Sequence, residues 1–367
     1  MWTRHALSLA VAMSIAVSGC GSSSPPSPSS SPSTTTTSVG GANAFLDRYV
    51  TADGRVLRHD QGGDIVSEGQ AYAMLIAEIA GRPRLVRTIW SWTIAHLRRP
   101  DGLLKYHATG SGDILDDQSA SDADVLAAYA LLRYRGSEQA RLHTAGKHLA
   151  AAILRGETTG AGSGPVVVAG PWATQTTPPT VNPSYLMPSV YAALGTQTGD
   201  ERWQQAASTA QSLVSGLTQD GQQLPTDWAQ LANGQLTGTA DPGGGAPVQY
   251  GLDAARLPLW FGTACTHAAR SLAARWWHAG LSRPARAAAI ALAPDGRPID
   301  RASNPLPLMA AAAAASAAGD EQAVRGLRDH AAALARSTPT YYGDAWVVLG
   351  GALLDGALDP CKEATNG

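Results

Sequence analysis

The sequence is poor in charged residues, in phenylalanine and in cysteine. Charged residues make up 15% of its 367 residues, and 27 basic against 29 acidic side chains leave a formal net charge of -2. Nucleic-acid-binding proteins carry basic blocks or basic stretches interleaved with aromatic residues, and neither pattern occurs here. The composition therefore argues against nucleic acid as a partner, whereas a hydrophobic fraction of 44% is enough for a sizeable core.

The chain also lacks a hydrophobic run long enough to span a bilayer comfortably. Its most apolar stretch, from Ala6 to Val17, follows Arg4 and precedes small residues, which predicts a signal peptide over residues 1–19. The sequence "VSGC" matches the bacterial lipobox and predicts lipidation of Cys20, which would anchor an exported protein to the outer face of the cell membrane. The alternative is an ordinary signal peptide with an incidental cysteine, and hence a secreted protein.

Few residues in the following segment can contribute to a core. Residues 20–41 are dominated by Pro, Ser and Thr and are predicted to form a tether. Residues 42–367 show no further boundary and are predicted to form one domain. The two remaining cysteines, Cys265 and Cys361, could form a disulfide in an exported chain, and two free thiols are an equally open alternative.

Common metal and nucleophile motifs are absent as well. The sequence contains no HExxH, CxxC or GxSxG pattern. His143 and His148 are five residues apart, which would place them on different faces of a helix. We therefore expect neither a metal nor a cofactor.

Apolar residues recur at helical spacing throughout the body of the chain, with Gly, Pro, Asn, Asp and Ser between the segments. This pattern predicts one all-α domain of about twelve helices. A β-branched run, "PVVVAG" at residues 165–170, predicts a short strand. Long Gly- and Pro-rich connections are typical of loops that shape a site. The predicted helices cover residues 68–80, 84–97, 122–135, 138–154, 186–195, 201–216, 252–263, 267–279, 283–292, 305–318, 320–336 and 341–355.

Acidic residues stand at or near the predicted starts of several helices. They are Glu68, Asp122, Asp124, Asp227 and Asp253. Such residues commonly cap helices and offset the helix dipole, and this is the simpler interpretation. The functional interpretation is glycosidic bond hydrolysis, which needs one protonated and one ionised carboxyl group. Ten Trp and ten Tyr against two Phe would suit a sugar-binding cleft, because these aromatic residues carry a polar group.

Six motifs resemble glycoside hydrolase family 8, which includes bacterial endoglucanases, chitosanases and xylanases and the endoglucanase associated with cellulose synthase. "SEGQAYAMLIA" resembles its general-acid motif, and "SASDADVLAAYALL" resembles its signature A-[ST]-D-[AG]-D. "NPSYLMPSVY" is similar to a segment that lines the cleft. "LPTDWAQL" and "DAARLPLW" resemble the P-D-W and Y-D-A-x-R segments, and "TPTYYGDAWVVLGGALLDG" resembles the closing helix. All six occur in family order between about Ala42 and the C-terminus.

The resemblance implies an (α/α)6 barrel of six inner and six outer helices, whose long loops form an open cleft. It also implies endo-acting, inverting hydrolysis of a β-1,4-linked polysaccharide, with cellulose or another β-glucan expected. Chitosan and xylan are alternative substrates for the same chemistry. A non-catalytic polysaccharide-binding lipoprotein, and a helical-barrel hydrolase or lyase of another family, are alternatives of other classes. The sequence shows no sign of an oligomer, so we expect a monomer.

The resemblance further assigns roles to the matched residues. Glu68 is expected to be the general acid and Asp253 the general base, while Asp122 would hold the distorted sugar. Asp227 is kept as an alternative base. The expected substrate-binding residues are Gln70, Tyr72, Tyr106, Asp124, Asn182, Tyr185 and Arg256, the last of which would also orient Asp253.

The sequence departs from the family pattern at two places. The family usually has a tryptophan between the acid helix and the signature, where "GLLKYHATG" supplies Tyr106 and His107. Gly251 and Leu252 replace the usual Ser-Tyr before Asp253, which removes a hydroxyl beside the expected base.

The position of Glu68 raises a physical conflict. A helix N-terminus lowers the pKa of a carboxyl group, whereas a general acid must hold its proton near the working pH. We therefore expect Glu68 to be largely buried on the floor of a cleft, with another carboxylate within about 6 Å. Gly69 is expected to let a sugar ring or neighbouring backbone approach Glu68, and Gln70 to reach a polar group in the cleft.

Overall fold

The computed structural model describes residues 34–365. The predicted signal peptide, Cys20 and the first part of the predicted tether lie outside the described residues. Within this range the chain forms fourteen α-helices and ten short strands. The helices are α1 (Thr34–Tyr49), α2 (Ser67–Ile79), α3 (Pro83–His96), α4 (Ser121–Arg133), α5 (Gln139–Gly156), α6 (Pro188–Thr198), α7 (Glu201–Leu217), α8 (Leu257–Gly262), α9 (His267–Trp276), α10 (Pro284–Ala287), α11 (Pro305–Ala317), α12 (Glu321–Ser337), α13 (Tyr341–Leu354) and α14 (Pro360–Thr365).

The strands form four small antiparallel sheets in the connections between helices. The sheets are ordered β1-β2-β3, β4-β5, β6-β7-β8 and β9-β10. The strands are β1 (Ile65–Val66), β2 (His107–Ala108), β3 (Ile114–Asp116), β4 (Thr158–Gly160), β5 (Pro165–Val167), β6 (Thr180–Val181), β7 (Trp228–Ala232), β8 (Gln235–Thr239), β9 (Ala289–Leu292) and β10 (Pro298–Ser303). The strand expected from "PVVVAG" is confirmed as β5.

Six helices form a closed inner ring. Helices α2, α4, α6, α8, α11 and α13 pack each against the next, and α13 packs back against α2. Helices α1, α3, α5, α7, α9 and α12 pack on the outside of this ring. The described chain is therefore the (α/α)6 barrel expected from the sequence.

Composition decides which helices are inside. In α11 the sequence "PLPLMAAAAAASA" is buried from Pro305 to Ala315, because a helix that is apolar on all sides can be covered on all sides. In the outer helix α12 only Val324 and Ala331 are buried, and its other faces are polar. No helix in residues 34–365 combines the length and hydrophobicity needed to cross a membrane.

The inner helices begin at the same end of the barrel, and this end carries the expected site. The first turns of α2 and α4 contain Glu68 and Asp122, and α8 is preceded by Asp253 and Arg256. Tyr341 opens α13 and approaches the start of α2. Because the N-terminal ends converge, their dipoles add to a positive potential there that favours carboxylates.

The helix predicted over residues 283–292 is wrong. Only the four residues of α10 are helical, and β9 follows at once. Leu292 in β9 exchanges two backbone hydrogen bonds with Tyr250, of 2.7 and 2.9 Å, just before the loop that carries Asp253. Pairing with β10 across a short turn, together with the bridge to Tyr250, overrides the helix propensity of this alanine-rich segment.

The hairpin β7–β8 was not predicted, although the sequence carries its signal. Asn233 and Gly234 join the two strands with positive φ angles of 51° and 72°. An Asn-Gly pair between alternating apolar residues is the strongest short-range sign of a hairpin.

The N-terminal end of the domain differs from the expected pattern, and the C-terminal end carries the disulfide that the sequence left open. Helix α1 begins at Thr34, so the expected boundary at residue 42 falls inside a helix. Its second half buries Phe45 and Leu46 against the barrel. The helix extends from this packed segment towards the N-terminus because each further residue fixed adds one hydrogen bond. At the other end, Cys265 and Cys361 form a disulfide that joins the loop after α8 to α14, with their Cα atoms 5.2 Å apart.

Candidate active site

The end of the barrel where the inner helices begin contains an open cleft. Two adjoining hollows of about 640 Å³ each extend to either side of Glu68 and Asp253. One hollow also includes Asp122 and Tyr185, and the other includes Arg58. The residues that line both hollows are Glu68, Tyr106, Trp228, Asp241 and Asp253.

A single buried guanidinium joins three carboxyl groups beneath this cleft. Only 2% of the Arg256 side chain is exposed. Its Nη1 lies 2.6 Å from Oδ2 of Asp122 and 3.3 Å from Oε2 of Glu68, and its Nη2 lies 2.8 Å from Oδ1 of Asp253. The carboxyl groups at the starts of α2 and α4 and before α8 are therefore held together by one cation.

Three further side chains fix this cluster. Arg256 donates through Nη1 to the hydroxyl oxygen of the fully buried Tyr72 at 3.2 Å, and it lies 5.2 Å from the ring centre of Tyr185. The amide Nδ2 of Asn182 donates to Oδ2 of Asp253 at 3.0 Å. Because Oδ1 of Asn182 accepts two hydrogen bonds from Ser184, the amide is oriented with its nitrogen towards Asp253.

Glu68 combines burial with neighbouring negative charge. Its side chain is 18% exposed, and burial followed by the negative charge of Asp122 raises its pKa to about 8. Arg256 opposes this rise in pKa, and Asp253 adds to it. Because Glu68 and Asp122 contact the same nitrogen, their bound oxygens lie within about 6 Å of each other. The expected burial and the nearby carboxylate are confirmed, and both effects outweigh the helix dipole.

Asp253 and Asp122 have different environments. The Asp253 side chain is 35% exposed and is ion-paired with Arg256, so it is a carboxylate that water can reach. The Asp122 side chain is only 2% exposed, and burial raises its pKa against the opposing effect of Arg256. The cleft thus presents one acid whose raised pKa favours the protonated form, one water-accessible acid paired with Arg256, and one buried acid bound to the same cation.

Gln70 does not face the cleft, contrary to expectation. It is fully buried, and its Oε1 accepts from the backbone N–H of Val56 at 2.8 Å. Its Nε2 donates to the carbonyl of Gly54 at 3.0 Å and to the hydroxyl of Thr93 at 2.9 Å. The position two residues after Glu68 points towards the outer layer because successive helical residues are rotated by about 100°. Gln70 therefore fixes the loop after α1 against α2 and α3.

Asp124 also lies below the cleft instead of lining it. It is fully buried, and its Oδ1 accepts from the backbone N–H of Leu104 at 3.0 Å. Like Gln70, it follows its acidic neighbour by two residues in a first helical turn. Among the other expected substrate-binding residues, Tyr72 and Asn182 are buried and act on Arg256 and Asp253, whereas Tyr106 and Tyr185 line the cleft.

Asp227, the alternative base, binds the loop that carries Asp253. Its Oδ1 accepts from the backbone N–H groups of Gly251 and Ala254 at 2.9 and 2.8 Å, and its Oδ2 accepts from Nε2 of Gln249 at 3.0 Å. Burial raises the pKa of Asp227 to about 6. A Cβ at position 251 would collide with Oδ2, which accounts for glycine where the family usually has serine. The simpler interpretation, capping of backbone N–H groups, fits Asp227.

Tyrosine occupies the space beside Gly69, so neither a sugar ring nor neighbouring backbone explains this glycine. A Cβ at position 69 would lie 2.9 Å from the hydroxyl oxygen of Tyr341 and 3.6 Å from Cγ2 of Val66. The hydroxyl of Tyr341 is buried and has no hydrogen-bond partner within the described residues.

Gly69→Ala is expected to destabilise the protein although alanine favours helices by about 1 kcal/mol. The reason is the close contact with Tyr341, which is packed in the core. Removing the hydroxyl with Tyr341→Phe should relieve the contact and let Gly69→Ala become neutral or stabilising. Unfolding free energies of the two single variants and the double variant measure this coupling. Additive effects would contradict this explanation of Gly69.

The segment where the family usually has tryptophan supplies one cleft residue. Tyr106 is 36% exposed and lines both hollows, and its carbonyl accepts from the backbone N–H of Ser67 at 2.9 Å. His107 instead lies 2.7 Å from Oδ2 of Asp64, which also forms an ion pair with Arg58. Tyr106 is therefore available to a ligand, whereas His107 secures its strand.

Several side chains of the cleft were not predicted from the sequence. A signal existed for Tyr341 and Tyr342, because they open the closing helix just as Glu68 and Asp122 open theirs. Trp228 adjoins Asp227 in a motif that was recognised. No pattern distinguished Asp241 or Trp172 from other loop residues. The missed lining residues are Arg58, Trp172, Trp228, Asp241, Tyr341 and Tyr342.

This arrangement is suited to proton transfer. Glu68 can donate a proton, and Asp253 can accept one from water that reaches it. No group of three or more His, Cys, Asp or Glu side chains in residues 34–365 is arranged to hold a metal ion.

Comparison with known sequences identifies relatives of this chain. The model of the family described as "Glycosyl hydrolases family 8" matches residues 29–354. A "Probable endoglucanase" of Novacetimonas hansenii is 31% identical over 227 residues, which is 59% of this chain and 64% of the relative. An "Endoglucanase" of Cellulomonas uda is 28% identical over 235 residues, which is 62% of this chain and 64% of the relative. The chain thus matches slightly less than two thirds of the length of these relatives.

Solved structures share the fold at lower sequence identity. A "Beta-1,3-1,4-glucanase" from Paenibacillus sp. X4 superposes with a TM-score of 0.77 at 20% identity, covering 88% of this chain and 92% of that one. An "endo-1,4-D-glucanase" from Vibrio fischeri ES114 gives a TM-score of 0.73 at 22% identity, covering 86% and 94%. These likenesses support the barrel. Since the family match extends over most of the sequence, this protein belongs to glycosyl hydrolase family 8.

Proposed function

We propose that this protein hydrolyses a β-1,4-linked glucan by endo action with inversion at the anomeric carbon. One observation carries the proposal: two carboxyl groups that contact the same guanidinium line one cleft in different environments, with the Glu68 side chain 18% exposed and the Asp253 side chain 35% exposed. Burial keeps Glu68 protonated, with a pKa of about 8, while Asp253 is an exposed carboxylate paired with Arg256. Inverting glycosidases use such a pair.

In the proposed reaction, Glu68 protonates the glycosidic oxygen as the bond from that oxygen to the anomeric carbon breaks. Asp253 takes a proton from a water molecule, whose oxygen attacks the opposite face of the sugar. Asp122, bound to Nη1 of Arg256 at 2.6 Å, would hold the sugar ring at the cleavage point. Each catalytic carboxyl group exchanges one proton per turnover, and both return to their starting states through solvent.

The shape of the cleft supports endo action on a polymer. Hollows on both sides of Glu68 and Asp253 leave room for sugars before and after the cleaved bond. Trp172 and Tyr106 offer ring faces on which sugars can stack. The names of the curated relatives, endoglucanases, favour a β-glucan over other polymers.

Charge in one part of the cleft favours chitosan as a second candidate. Apart from tyrosines, the ionisable residues that line the hollow containing Trp172 are all acidic: Glu68, Asp116, Asp122, Asp241 and Asp253. A cationic polymer would be attracted to this lining. Release of reducing ends from soluble cellulose, mixed-linkage glucan, xylan and chitosan separates the candidates. If the protein released reducing ends from chitosan and from none of the other polymers, and if moderate salt abolished this activity, chitosan would replace a β-glucan as the proposed substrate. Binding without reducing-end release by the wild type would support a non-catalytic binder.

Activity should fall as the pH rises through about 8. Glu68 must be protonated to act, and its raised pKa means that the proton is held below this pH and lost above it. The dependence of kcat/KM on pH between about 5 and 10 tests this. Activity that already falls steadily with rising pH from about pH 5, as expected of a glutamic acid near its ordinary pKa of 4.5, would show that Glu68 is not held protonated.

We also propose that the protein is exported and anchored through a lipid on Cys20. The support is the lipobox sequence alone. The wild type should partition into detergent and be labelled by a fatty-acid analogue, and Cys20→Ser should lose both properties. An unlabelled wild type would contradict the anchor.

A further inference from the structure

A second acidic cluster lies behind one wall of the cleft, away from Arg256. The hydroxyl oxygen of Ser119 contacts Oδ2 of Asp124 and lies 2.8 Å from Oε1 of Glu157. Asp124 and Glu157 are both fully buried. Neither carboxyl group forms an ion pair with a cation in residues 34–365.

The hydrogen count of this cluster requires an extra proton. A serine hydroxyl has one proton and can donate it to only one of the two carboxyl groups. The other contact is a hydrogen bond only if that carboxyl group donates its own proton to the serine oxygen. Two ionised carboxylates facing one hydroxyl in a buried site would instead carry an uncompensated negative charge.

The surroundings place this proton on Glu157. Oδ1 of Asp124 accepts from the backbone N–H of Leu104 at 3.0 Å, which stabilises an ionised Asp124, whereas Oε2 of Glu157 has no hydrogen-bond partner in the described chain. Burial raises the pKa of both carboxyl groups, to about 8 for Asp124, where the hydrogen bonds from Ser119 and Leu104 oppose the rise, and well above the ordinary value for Glu157, where the charge of Asp124 adds to it. As the pH rises, Asp124 therefore ionises first and Glu157 keeps its proton longer. The other charged groups that face the cluster are Asp101, Asp122 and Arg99, and Arg99 is engaged in an ion pair with Asp101 at 2.9 Å.

The cluster supports residues that line the cleft. Ser119, Ala120 and Asp122 belong to the wall of the hollow that contains Trp172. Glu157 ends α5, and its carbonyl accepts from the backbone N–H of Val168 at 2.9 Å. The hydroxyl of Ser121 donates to the carbonyl of Val168 at 2.5 Å. The wall is thus attached to the end of α5 through both the side chain and the backbone of Glu157.

We propose that Glu157 is a positioning residue that keeps its proton at neutral pH and, by donating it to Ser119, holds the cleft wall that carries Asp122. Ser119 then donates to Asp124, which in turn binds the N–H of Leu104. Ionisation of Glu157 removes the donor and places a second negative charge beside Asp124, which loosens the wall. The catalytic consequence rests on the proposed function, whereas the proton itself does not.

The stability of Glu157→Gln tests the proton without any assay of activity. Glutamine is neutral at every pH and can donate through Nε2 to Ser119, so it imitates protonated glutamic acid. A carboxyl group with a raised pKa in the folded state makes stability fall with rising pH, because only the unfolded state releases the proton. Between about pH 5.5 and 7.5, each unit of pH should therefore increase the unfolding constant of the wild type relative to that of Glu157→Gln by about ten-fold.

Glu201→Gln, in the exposed first turn of α7, is the matched control and should leave the wild-type slope unchanged. An equal slope in the wild type and Glu157→Gln would overturn the proposal. If Glu157→Gln does not fold, infrared spectroscopy of the wild type remains decisive. At neutral pH the carbonyl stretch of protonated Glu157 should shift in Ser119→Ala, which removes the hydrogen bond that Glu157 donates. A difference spectrum between the wild type and Ser119→Ala that contains no carboxylic-acid band would reject a proton at this cluster.

Kinetics test the positioning role separately. Glu157→Ala should raise KM at neutral pH by about ten-fold or more, since misplacing a site by about 1 Å can cost up to about 100-fold. Glu157→Gln should restore KM, and it should not show the alkaline rise in KM expected of the wild type, while its kcat still falls as Glu68 ionises. Equal impairment of the Ala and Gln variants would overturn the positioning role. A wild type without hydrolytic activity would refute the proposed function and leave the stability result standing.

Discussion

Glu68→Gln is expected to lower kcat on a β-1,4-glucan by roughly 10²- to 10⁴-fold, the contribution usual for a general acid. Glutamine has nearly the same shape and can still accept the hydrogen bond from Nη1 of Arg256, 3.3 Å away in the wild type. The neutral amide of glutamine cannot donate a proton to the leaving oxygen during turnover. KM should change little, because the substitution removes a function that operates in the transition state. Initial rates of reducing-end release measure both constants.

Two comparisons separate an acid role from a structural one. Glu201→Gln makes the same chemical change in the first turn of the outer helix α7 and should retain wild-type kcat. An aryl glycoside whose leaving group needs no protonation should lose much less activity in Glu68→Gln than the polymer does. Equal losses on both substrates, in a variant that unfolds like the wild type, would contradict the role of Glu68 as acid.

Arg256→Met is expected to have the largest effect on both stability and activity. The substitution leaves Glu68, Asp122 and Asp253 without their shared cation, and Asp122 is almost completely buried. Removing one partner of a buried ion pair typically costs about 3–5 kcal/mol of unfolding free energy, a large part of the 5–15 kcal/mol that stabilises a typical protein. Asp253 would also lose its orientation, so kcat should fall at least as much as in Glu68→Gln.

Denaturant unfolding at two pH values tests the electrostatic cause. Near pH 5 the carboxyl groups can be protonated, so the destabilisation by Arg256→Met should be smaller than near pH 7.5. Arg202→Met, which breaks an exposed ion pair with Asp200, should cost no more than about 1 kcal/mol at either pH. Arg256→Lys keeps the charge but loses the fork that reaches three carboxyl groups, so it should not restore activity. A pH-independent loss in Arg256→Met would indicate lost packing instead.

The conflict at Glu68 has a physical resolution. The N-terminus of α2 favours an ionised carboxylate, and Arg256 favours it further. Burial and Asp122 nonetheless raise the pKa of Glu68 to about 8, because the cost of a charge in a poorly hydrated site is larger than a dipole contribution of about 1 kcal/mol. The same buried cluster that binds Arg256 therefore keeps one of its members protonated.

Motifs with fixed chemistry could be predicted from the sequence. The starts of α2 and α4 were located to within one residue, because Glu68 and Asp122 fall in family motifs at the ends of apolar segments. The barrel followed from the resemblance and from the dozen helical segments. Helical periodicity is strong wherever one face is covered, so five of the six outer helices were also placed closely, whereas α1 was not predicted.

Side-chain direction within the inner ring could not be predicted in the same way. An inner helix is apolar on nearly all sides, so periodicity does not show that Gln70 and Asp124 face the outer layer. Gly69 was misinterpreted because Tyr341, which fills its space, comes from a helix more than 250 residues later. The strand at 289–292 pairs mainly with β10 across the Pro-Asp-Gly turn at residues 294–296, a local turn signal that the helix prediction overlooked. Only the additional pairing of Leu292 with Tyr250 is invisible to local pattern.

The configuration of the first product tests the central claim most directly. Proton NMR can follow a short β-1,4-linked glucan oligosaccharide during the first minutes of hydrolysis, before the product anomers equilibrate. Direct attack by a water activated at Asp253, with Glu68 as acid, predicts that the new reducing end appears as the α-anomer. Appearance of the β-anomer first would require a covalent intermediate and would contradict the assignment of Glu68 and Asp253 as an inverting pair.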